Sequence, residues 1–303
     1  MKWFNIKEKS AGKKRLILCW YLYNILGKKV VNIIAFFVAL ITFVKNKDIR
    51  IYSKKYLLVL QEFINNENYK PTNTNAFKNV LSYANSLVDK MEAFSGKYNS
   101  DNIIFDDNEE KERLFEKLHN KKGIFFICNH IGNIQMLRSL IEHKEYGKGI
   151  TISIFLQANQ CKIFNEFTEK LSERIDRLKV YPIEDIGIET AIELEEDIHN
   201  GGMCFMAGDR IPANNEYKTK QVKLLNKTVE FPIGVFKIAQ ILKSDIYFIT
   251  CLKEGNKYKV YLKNPSDCNN IDDIINEFTI FTEDMIQKAP YQFYHFYDYF
   301  NDL

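Results

Sequence analysis

The sequence lacks the cysteine spacings that mark disulfide frameworks and structural metal sites. Its 303 residues contain six scattered cysteines with no CxxC pair: Cys19, Cys128, Cys161, Cys204, Cys251 and Cys268. Since disulfide-stabilised proteins carry closely spaced cysteines, we expect a reduced, cytosol-facing protein. No His, Cys or carboxylate pair has metal-ligand spacing either, so we predict no metal and no cofactor.

The sequence also lacks an uncharged apolar run long enough for an ordinary transmembrane helix. One such run, residues 30–44, has 15 residues between two pairs of lysines, whereas a bilayer-crossing helix needs about 20. We therefore expect an interfacial, re-entrant or short spanning segment, with a buried core helix as the alternative. It is not a secretory signal, because basic residues follow at once and no small-residue cleavage site is present.

Charge is distributed unevenly along the chain. Residues 1–56 hold thirteen Lys or Arg against two acids, a net charge of +11, so the remainder carries −8 of the total of +3. A basic segment indicates an anionic partner surface, and the apolar run inside it favours a membrane over nucleic acid. We predict a membrane-anchoring segment over 1–56, a separate folded body over 57–303, and no nucleic-acid partner.

From Gly123 onward, short apolar runs alternate with helical periodicity. This alternation predicts an α/β fold, with a mostly parallel or mixed central sheet covered by helices. The predicted strands are 124–128, 150–155, 178–182, 203–206, 246–252 and 258–262. The predicted helices are 131–143, 163–175, 187–200, 233–242 and 271–288.

The first predicted strand ends in Asn129-His130, and we expect a helix to follow. A histidine at a strand-to-helix turn can act as a general base toward a hydroxyl, although a single histidine is often structural. Gly132 would allow a close approach of backbone or substrate. The other histidines have no partner spacing, and we expect structural or solvated roles for them: His119, His143, His199 and His295.

Two further clusters and one loop follow later in the chain. Gly208, Asp209 and Arg210 come after another predicted strand, and a guanidinium suits phosphate recognition. Residues 231–239 fit a tight turn feeding a core helix. The polar loop 211–220, which contains Lys218, has the composition of a mobile lid.

These clusters together resemble one family. The stretch NHIGNIQ at 129–135 resembles the NHxxxxD/E motif of the glycerolipid and lipid A acyltransferase superfamily. AGDR at 207–210 and FPIGVFKIA at 231–239 are similar to two further signatures of its lipid A biosynthesis branch. The aromatic tail at 290–300 is similar to members of that branch as well. By composition the tail fits an interfacial anchor or a segment packed on the body.

The resemblance implies a glycerolipid acyltransferase-like fold at the cytoplasmic side of a bacterial inner membrane. It implies that an acyl group passes from acyl carrier protein, or from coenzyme A, to a hydroxyl of a glycolipid or other lipid acceptor. His130 would be the general base, with Gln135 and Asp209 as the other catalytic candidates. The predicted substrate-binding residues are Gly132, Asn133, Arg210 and Lys218.

One position departs from the motif, because Gln135 stands where the family carries an acid. A glutamine oxygen can accept a hydrogen bond from an imidazole N–H, but it carries no charge. His130 should therefore be a weaker base unless Asp209 supplies the carboxylate. The alternatives are an inactive relative of the fold that binds a lipid or a partner enzyme, and an N-acyltransferase, since an amine asks less of the base.

Overall fold

A computed structural model describes residues 13–95, 97–137, 149–158, 160–161, 177–211, 218–265, 268 and 270–300. The helices of these residues are α1 (Lys13–Lys45), α2 (Lys47–Ile64), α3 (Asn73–Phe94), α4 (Asn108–His119), α5 (Ile188–His199), α6 (Ile233–Ile241) and α7 (Ile271–Lys288). The strands are β1 (Ile103–Phe105), β2 (Ile124–Gly132), β3 (Ile152–Leu156), β4 (Leu178–Pro182), β5 (Met203–Ala207), β6 (Thr219–Leu224), β7 (Lys227–Pro232), β8 (Asp245–Glu254) and β9 (Lys257–Lys263).

Seven of these strands form one mixed sheet in the order β1-β9-β8-β2-β5-β3-β4. Strands β8, β2, β5, β3 and β4 run parallel to one another, whereas β9 runs antiparallel to β8 and parallel to β1. β6 and β7 form a separate antiparallel hairpin. The predicted α/β class is confirmed: a mixed sheet is covered by helices and preceded by an apolar helix.

Strand β2 lies at the centre of the sheet and is buried on both faces. Phe125 and Ile127 point into the larger hydrophobic core with α2, α6 and α7, while Ile124 and Phe126 point into the second core with α4. Alternate side chains of a strand face opposite sides, so a strand covered on both sides reads as an unbroken apolar run. This accounts for the sequence Ile-Phe-Phe-Ile-Cys that begins it.

Most predicted elements that fall on described residues agree with the structure, and one requires correction. The predicted helix over 131–143 is wrong at its start, because residues 131–132 continue β2 and a short 3₁₀ helix occupies Ile134–Met136. Main-chain pairing of Gly132 with Cys251 on β8 prolongs the strand beyond the apolar run that predicted it. The rest of that helix, the helix over 163–175 and most of the loop 211–220 lie outside the described residues. The prediction omitted β1, α4 and the β6–β7 hairpin.

The apolar N-terminal segment is longer than the 15-residue run suggested. Helix α1 contains an apolar stretch from Trp20 to Lys45, 26 residues that are long and apolar enough to cross a membrane by length and composition. Gly27 has non-helical angles (φ 75°, ψ 169°) and bends the helix there. The membrane-anchor prediction is supported to this extent.

The aromatic tail packs on the body, which was one of the two expected arrangements. Phe293 and Phe300 are buried in the larger core, and the Phe293 ring stacks on Tyr56 of α2 at a centroid distance of 4.7 Å. Asn79 of α3 donates its side-chain amide to the carbonyls of Tyr291 and Phe293, both at 3.0 Å. These contacts fix the path of residues 290–300 along the sheet.

We predict that Gly132→Ala destabilises the protein severely. Gly132 has φ +67°, and a Cβ at this position would lie 2.2 Å from the Cys251 carbonyl oxygen. Left-handed strain plus overpacking should lower the free energy of unfolding by about 3 kcal/mol. Gly255→Ala is the matched control, since Gly255 has φ +61° and its added methyl group would meet no atom within 4 Å. Thermal unfolding followed by circular dichroism in detergent should show a larger loss of stability for Gly132→Ala than for Gly255→Ala. Equal losses would show that the close approach at Gly132 is absent.

Candidate active site

The parallel pairing of β2 and β5 brings two of the predicted residues together. Cys128 pairs with Ala207, and the Gly208 N–H donates to the Cys128 carbonyl at 2.9 Å. His130 and Asp209 each follow this residue pair by two positions, and they therefore lie side by side near the carboxyl ends of adjacent strands. This edge of an α/β sheet is where such folds bind ligands.

Asp209 holds both the backbone and the ring of His130. Its Oδ1 lies 2.8 Å from His130 Nδ1, and its Oδ2 accepts the His130 backbone N–H at 2.7 Å. The Asp209 side chain is fully buried, whereas the His130 side chain is 37% exposed. The carboxylate thus orients the imidazole from the buried side of the ring, and the rest of the ring is partly exposed.

A second histidine, which the sequence placed among the structural or solvated ones, contacts the same carboxylate. His295 Nε2 lies 3.1 Å from Asp209 Oδ2, and its Nδ1 lies 2.7 Å from the Tyr297 hydroxyl. His295 is only 2% exposed and comes from the aromatic tail. No motif or spacing marks it, because its position depends on the docking of residues 290–300 against α3.

The protonation of this cluster follows from burial and hydrogen bonding. Burial by itself would raise the pKa of Asp209, but attraction from His130 and hydrogen bonds from both histidines hold it well below its usual range. Burial lowers the pKa of His295 from 6.5 to about 3, against the opposing effect of its hydrogen bond to Asp209. At neutral pH Asp209 is therefore a carboxylate and His295 a neutral imidazole.

These charge states assign the ring protons. An ionised carboxylate only accepts hydrogen bonds, so His130 Nδ1 and His295 Nε2 both donate to Asp209. The neutral His295 then accepts the Tyr297 hydroxyl proton at Nδ1. With its proton on Nδ1, a neutral His130 carries its lone pair on Nε2, and among the described residues no hydrogen-bond partner meets that nitrogen.

Arg210 lies beside the cluster but points along the aromatic tail. Its Nη2 donates to the Tyr294 carbonyl at 3.4 Å, and its guanidinium lies 5.5 Å from the centre of the Tyr297 ring. The Tyr299 hydroxyl donates to the backbone carbonyl of Asp209 at 3.0 Å. Main-chain and side-chain groups of the tail therefore hold the motif residues 209–210.

Asn129, the residue before His130, is buried and holds the end of β2 in place. Its side-chain oxygen accepts the Thr250 hydroxyl of β8 at 2.8 Å, and its amide lies 3.5 Å from the Thr282 hydroxyl of α7. Buried polar groups need such partners. Asn129 thus joins β2, next to His130, to both β8 and α7.

The remaining predicted site residues make their contacts away from the His130–Asp209 pair. Asn133 is buried and donates to the Ser86 carbonyl of α3 at 2.9 Å, so its contacts are structural. Gly132 approaches β8, as described above. Lys218 is exposed, and its carbonyl accepts the Ile233 N–H at 2.9 Å. The substrate-binding roles assigned to these three residues stay predictions.

Gln135 does not take the place of the missing acid in the described structure. Its amide oxygen is buried, and within the described ranges it has no hydrogen-bond partner. The imidazole N–H of His130 goes to Asp209 instead. Of the two residues expected to orient His130, Asp209 is the one in contact.

His130, Asp209 and His295 also offer three ligand atoms within 4.8 Å of one another, a set that a metal could use. The two ring nitrogens lie 2.8 and 3.1 Å from the carboxylate oxygens, which are hydrogen-bond lengths. Ligands of a tetrahedral zinc ion lie about 3.3 Å apart, given metal–nitrogen bonds of about 2.0 Å. The other ring nitrogen of His295 is hydrogen-bonded to the Tyr297 hydroxyl. These residues therefore fit a hydrogen-bonded cluster better than a metal centre.

Comparisons with known proteins do not assign the chain to a family: no family model matches it, and no curated protein matches it significantly. The site itself and the sequence motifs are therefore the grounds for a function.

We predict that acid destabilises the protein through His295. Its folded pKa is about 3 and its unfolded pKa about 6.5, so unfolding takes up a proton between these values and stability falls as pH falls through the window. The limit is about 1.4 kcal/mol per pH unit. Asp209 adds a loss only below its unfolded pKa of about 4, so His295 governs the range between that value and 6.5. The charged and titratable groups facing it are Asp209, His130, Arg210, Tyr297 and Tyr299.

His295→Gln is the test variant, because its amide can still donate to Asp209 but does not titrate. Denaturant unfolding at about pH 7 and about pH 4.5 should show a smaller acid-induced loss in the variant than in the parent protein. An equal loss in both proteins would contradict the assignment.

Chelation should leave the protein unchanged, since the cluster is satisfied by its own hydrogen bonds. Exhaustive dialysis against EDTA is expected to shift the unfolding temperature by less than about 1 °C, whereas removing a structural metal typically unfolds its domain. A larger shift that added Zn²⁺ reversed would identify a metal centre.

Proposed function

We propose that the protein is a membrane-associated acyltransferase that moves a fatty acyl group from a thioester donor to a hydroxyl of a lipid or glycolipid acceptor. The observation that carries this proposal is the half-exposed His130, with Nδ1 bound to a buried carboxylate and Nε2 without a partner among the described residues. This is the arrangement of a general base. The reaction class, acyl transfer, is proposed because the sequence resembles acyltransferase motifs.

The proposed reaction is a direct transfer. His130 Nε2 takes the proton of the acceptor hydroxyl as its oxygen attacks the thioester carbonyl carbon. The tetrahedral intermediate then expels the thiolate, which takes that proton back from Nε2. An ester and a free thiol result, and His130 returns to its starting state.

Asp209 supports both proton transfers. A carboxylate on Nδ1–H fixes the tautomer that leaves Nε2 basic, and it stabilises the imidazolium formed in the transition state. In serine proteases, replacing the comparable Asp by Asn lowers the rate by about 10⁴. Asp209 thereby supplies the charge that Gln135 lacks.

The cysteine beside the site does not suit a covalent acyl-enzyme. Cys128 lies two residues before His130, is 8% exposed, and burial raises the pKa of its thiol to about 12. A thiol rather than a thiolate is a poor nucleophile at neutral pH. This favours attack by the acceptor hydroxyl itself.

The donor proposed from the motif likeness is acyl carrier protein, with coenzyme A as the alternative carrier, and the proposed acceptor is a lipid A-like glycolipid at the cytoplasmic face of a bacterial inner membrane. The inactive alternative was motivated by Gln135 alone. Because Asp209 already binds the imidazole, the lack of an acid at position 135 gives little support to an inactive protein. We therefore propose an active enzyme.

We expect His130→Ala and Asp209→Asn to reduce acyl transfer strongly. His130→Ala removes the base, and Asp209→Asn should lower kcat by about 10⁴ if it acts as in the serine protease comparison. Mass spectrometry of the lipid products formed from an acyl carrier protein thioester measures the activity of both variants. His199→Ala is the control for loss of a histidine, since His199 is exposed at the end of α5.

Gln135→Glu should give no gain in rate, because the position for the acid is already filled by Asp209. A rise of about tenfold or more in Gln135→Glu would instead show that the glutamine limits the base. Full activity of His130→Ala would overturn the proposed mechanism.

A further inference from the structure

Helix α1 lies against α3 along the length of its apolar stretch. Near one end, Lys28 Nζ contacts the carboxylates of Asp89 at 3.1 Å and Glu92 at 2.6 Å. Near the other end, the rings of Phe36 and Phe43 pack edge-on against Phe77, each at 5.6 Å. The two helices are therefore antiparallel and joined at both ends.

The opposite side of α3 is attached to the sheet and to the aromatic tail. Asp89 accepts hydrogen bonds from Lys253 of β8 at 2.5 Å and from the Tyr258 hydroxyl of β9 at 2.8 Å. Ser82 meets the Tyr294 hydroxyl at 3.0 Å. Helix α3 is thus a middle layer between α1 and the body, and α1 cannot be displaced from α3 without breaking the ion pairs of Lys28 with the buried Asp89 and with Glu92.

The outward face of α1 is a continuous apolar stripe. Its members are 38–63% exposed and cover the part of α1 that α3 leaves exposed: Val30, Ile33, Phe36, Phe37, Val38, Leu40, Ile41 and Val44. No acid occurs between Trp20 and Lys45, and the exposed Lys29, Lys45 and Lys47 lie at the two ends of the stripe. Apolar residues bordered by basic ones match the boundary between acyl chains and anionic headgroups.

We infer that α1 lies in the plane of an anionic bilayer surface, with this stripe inserted among the acyl chains, and that it does not cross the bilayer. Gly27 bends α1, so its straight part runs from Lys28 to Lys45 and is about 27 Å long. If that part stood upright in a hydrocarbon layer about 30 Å thick, α3 would stand in the layer beside it, because α3 packs on α1 from Lys28 to Phe43.

The polar and charged groups attached to α3 make the upright position costly. Lys253 binds Asp89, and the adjacent β8–β9 turn carries the exposed charges of Glu254 and Lys257. An upright α1 would hold this turn against the hydrocarbon and place the polar side chains of α3, such as Asn79 and Ser82, inside it, where polar and charged groups are strongly unfavourable. With α1 in the plane, α3 and the turn stay on the aqueous side.

Depth measurements on the full chain in sealed vesicles of phosphatidylcholine and phosphatidylglycerol test the inference. A fluorophore is attached to Ile33→Cys, Phe37→Cys or Ile41→Cys in a background with Cys19→Ser and Cys268→Ser, where the other four cysteines are buried. Nitroxide lipids labelled near the headgroup or deep in the chain then report depth by quenching.

An in-plane helix places all three positions at one shallow depth, so the shallow quencher exceeds the deep one at each. An upright helix separates positions 33 and 41 by about 12 Å, since eight residues rise about 1.5 Å each. A depth difference of that size between the two positions would overturn the inference.

Aspartate substitutions provide a second test. Phe37→Asp should reduce vesicle binding at least about tenfold without lowering the unfolding temperature, because the side chain is 56% exposed. The control is Ile188→Asp on α5, where an isoleucine 82% exposed should be replaced without effect. Unchanged binding of Phe37→Asp would contradict insertion of the stripe. Neither test depends on acyl transfer, so the orientation of α1 and the proposed reaction can fail separately.

Discussion

The arrangement of the site depends on one buried carboxylate. Asp209 has no exposed surface, and it accepts two hydrogen bonds from His130 and one from His295. A buried charge without such donors would cost several kcal/mol. The same bonds that allow Asp209 to stay ionised inside the protein also orient the ring of His130 and fix its tautomer. Stability of the carboxylate and basicity of the imidazole are two results of one interaction.

Helix α3 performs the corresponding role for the rest of the chain. Its buried polar side chains join elements that are distant in sequence: Asn79 binds the aromatic tail, while Asp89 binds α1, β8 and β9. Because the tail carries His295, the packing of α3 also positions the second histidine of the site. The apolar N-terminal helix and the proposed catalytic cluster are therefore connected through one set of buried polar contacts.

Local pattern predicted much of the fold. Central strands such as 124–128 and 203–206 were identifiable because a strand covered on both faces must be apolar, and helix 271–288 because its apolar residues recur at helical spacing. The elements that were missed are short or polar, such as β1 and α4. The start of the helix expected after His130 was wrong because main-chain pairing with β8 extends the strand, and no side-chain pattern reports such pairing.

The sequence by itself determined the α/β class, the basic apolar N-terminal segment, and the motif residues His130, Asp209 and Arg210. It could do so because periodicity, charge and motif spacing are local properties of a chain. Only the tertiary structure decided that Asp209 rather than Gln135 contacts the imidazole, that His295 joins them, and that α1 is bound to α3. These contacts join residues 64 to 86 positions apart, and packing of the intervening elements, not local preference, brings such residues together.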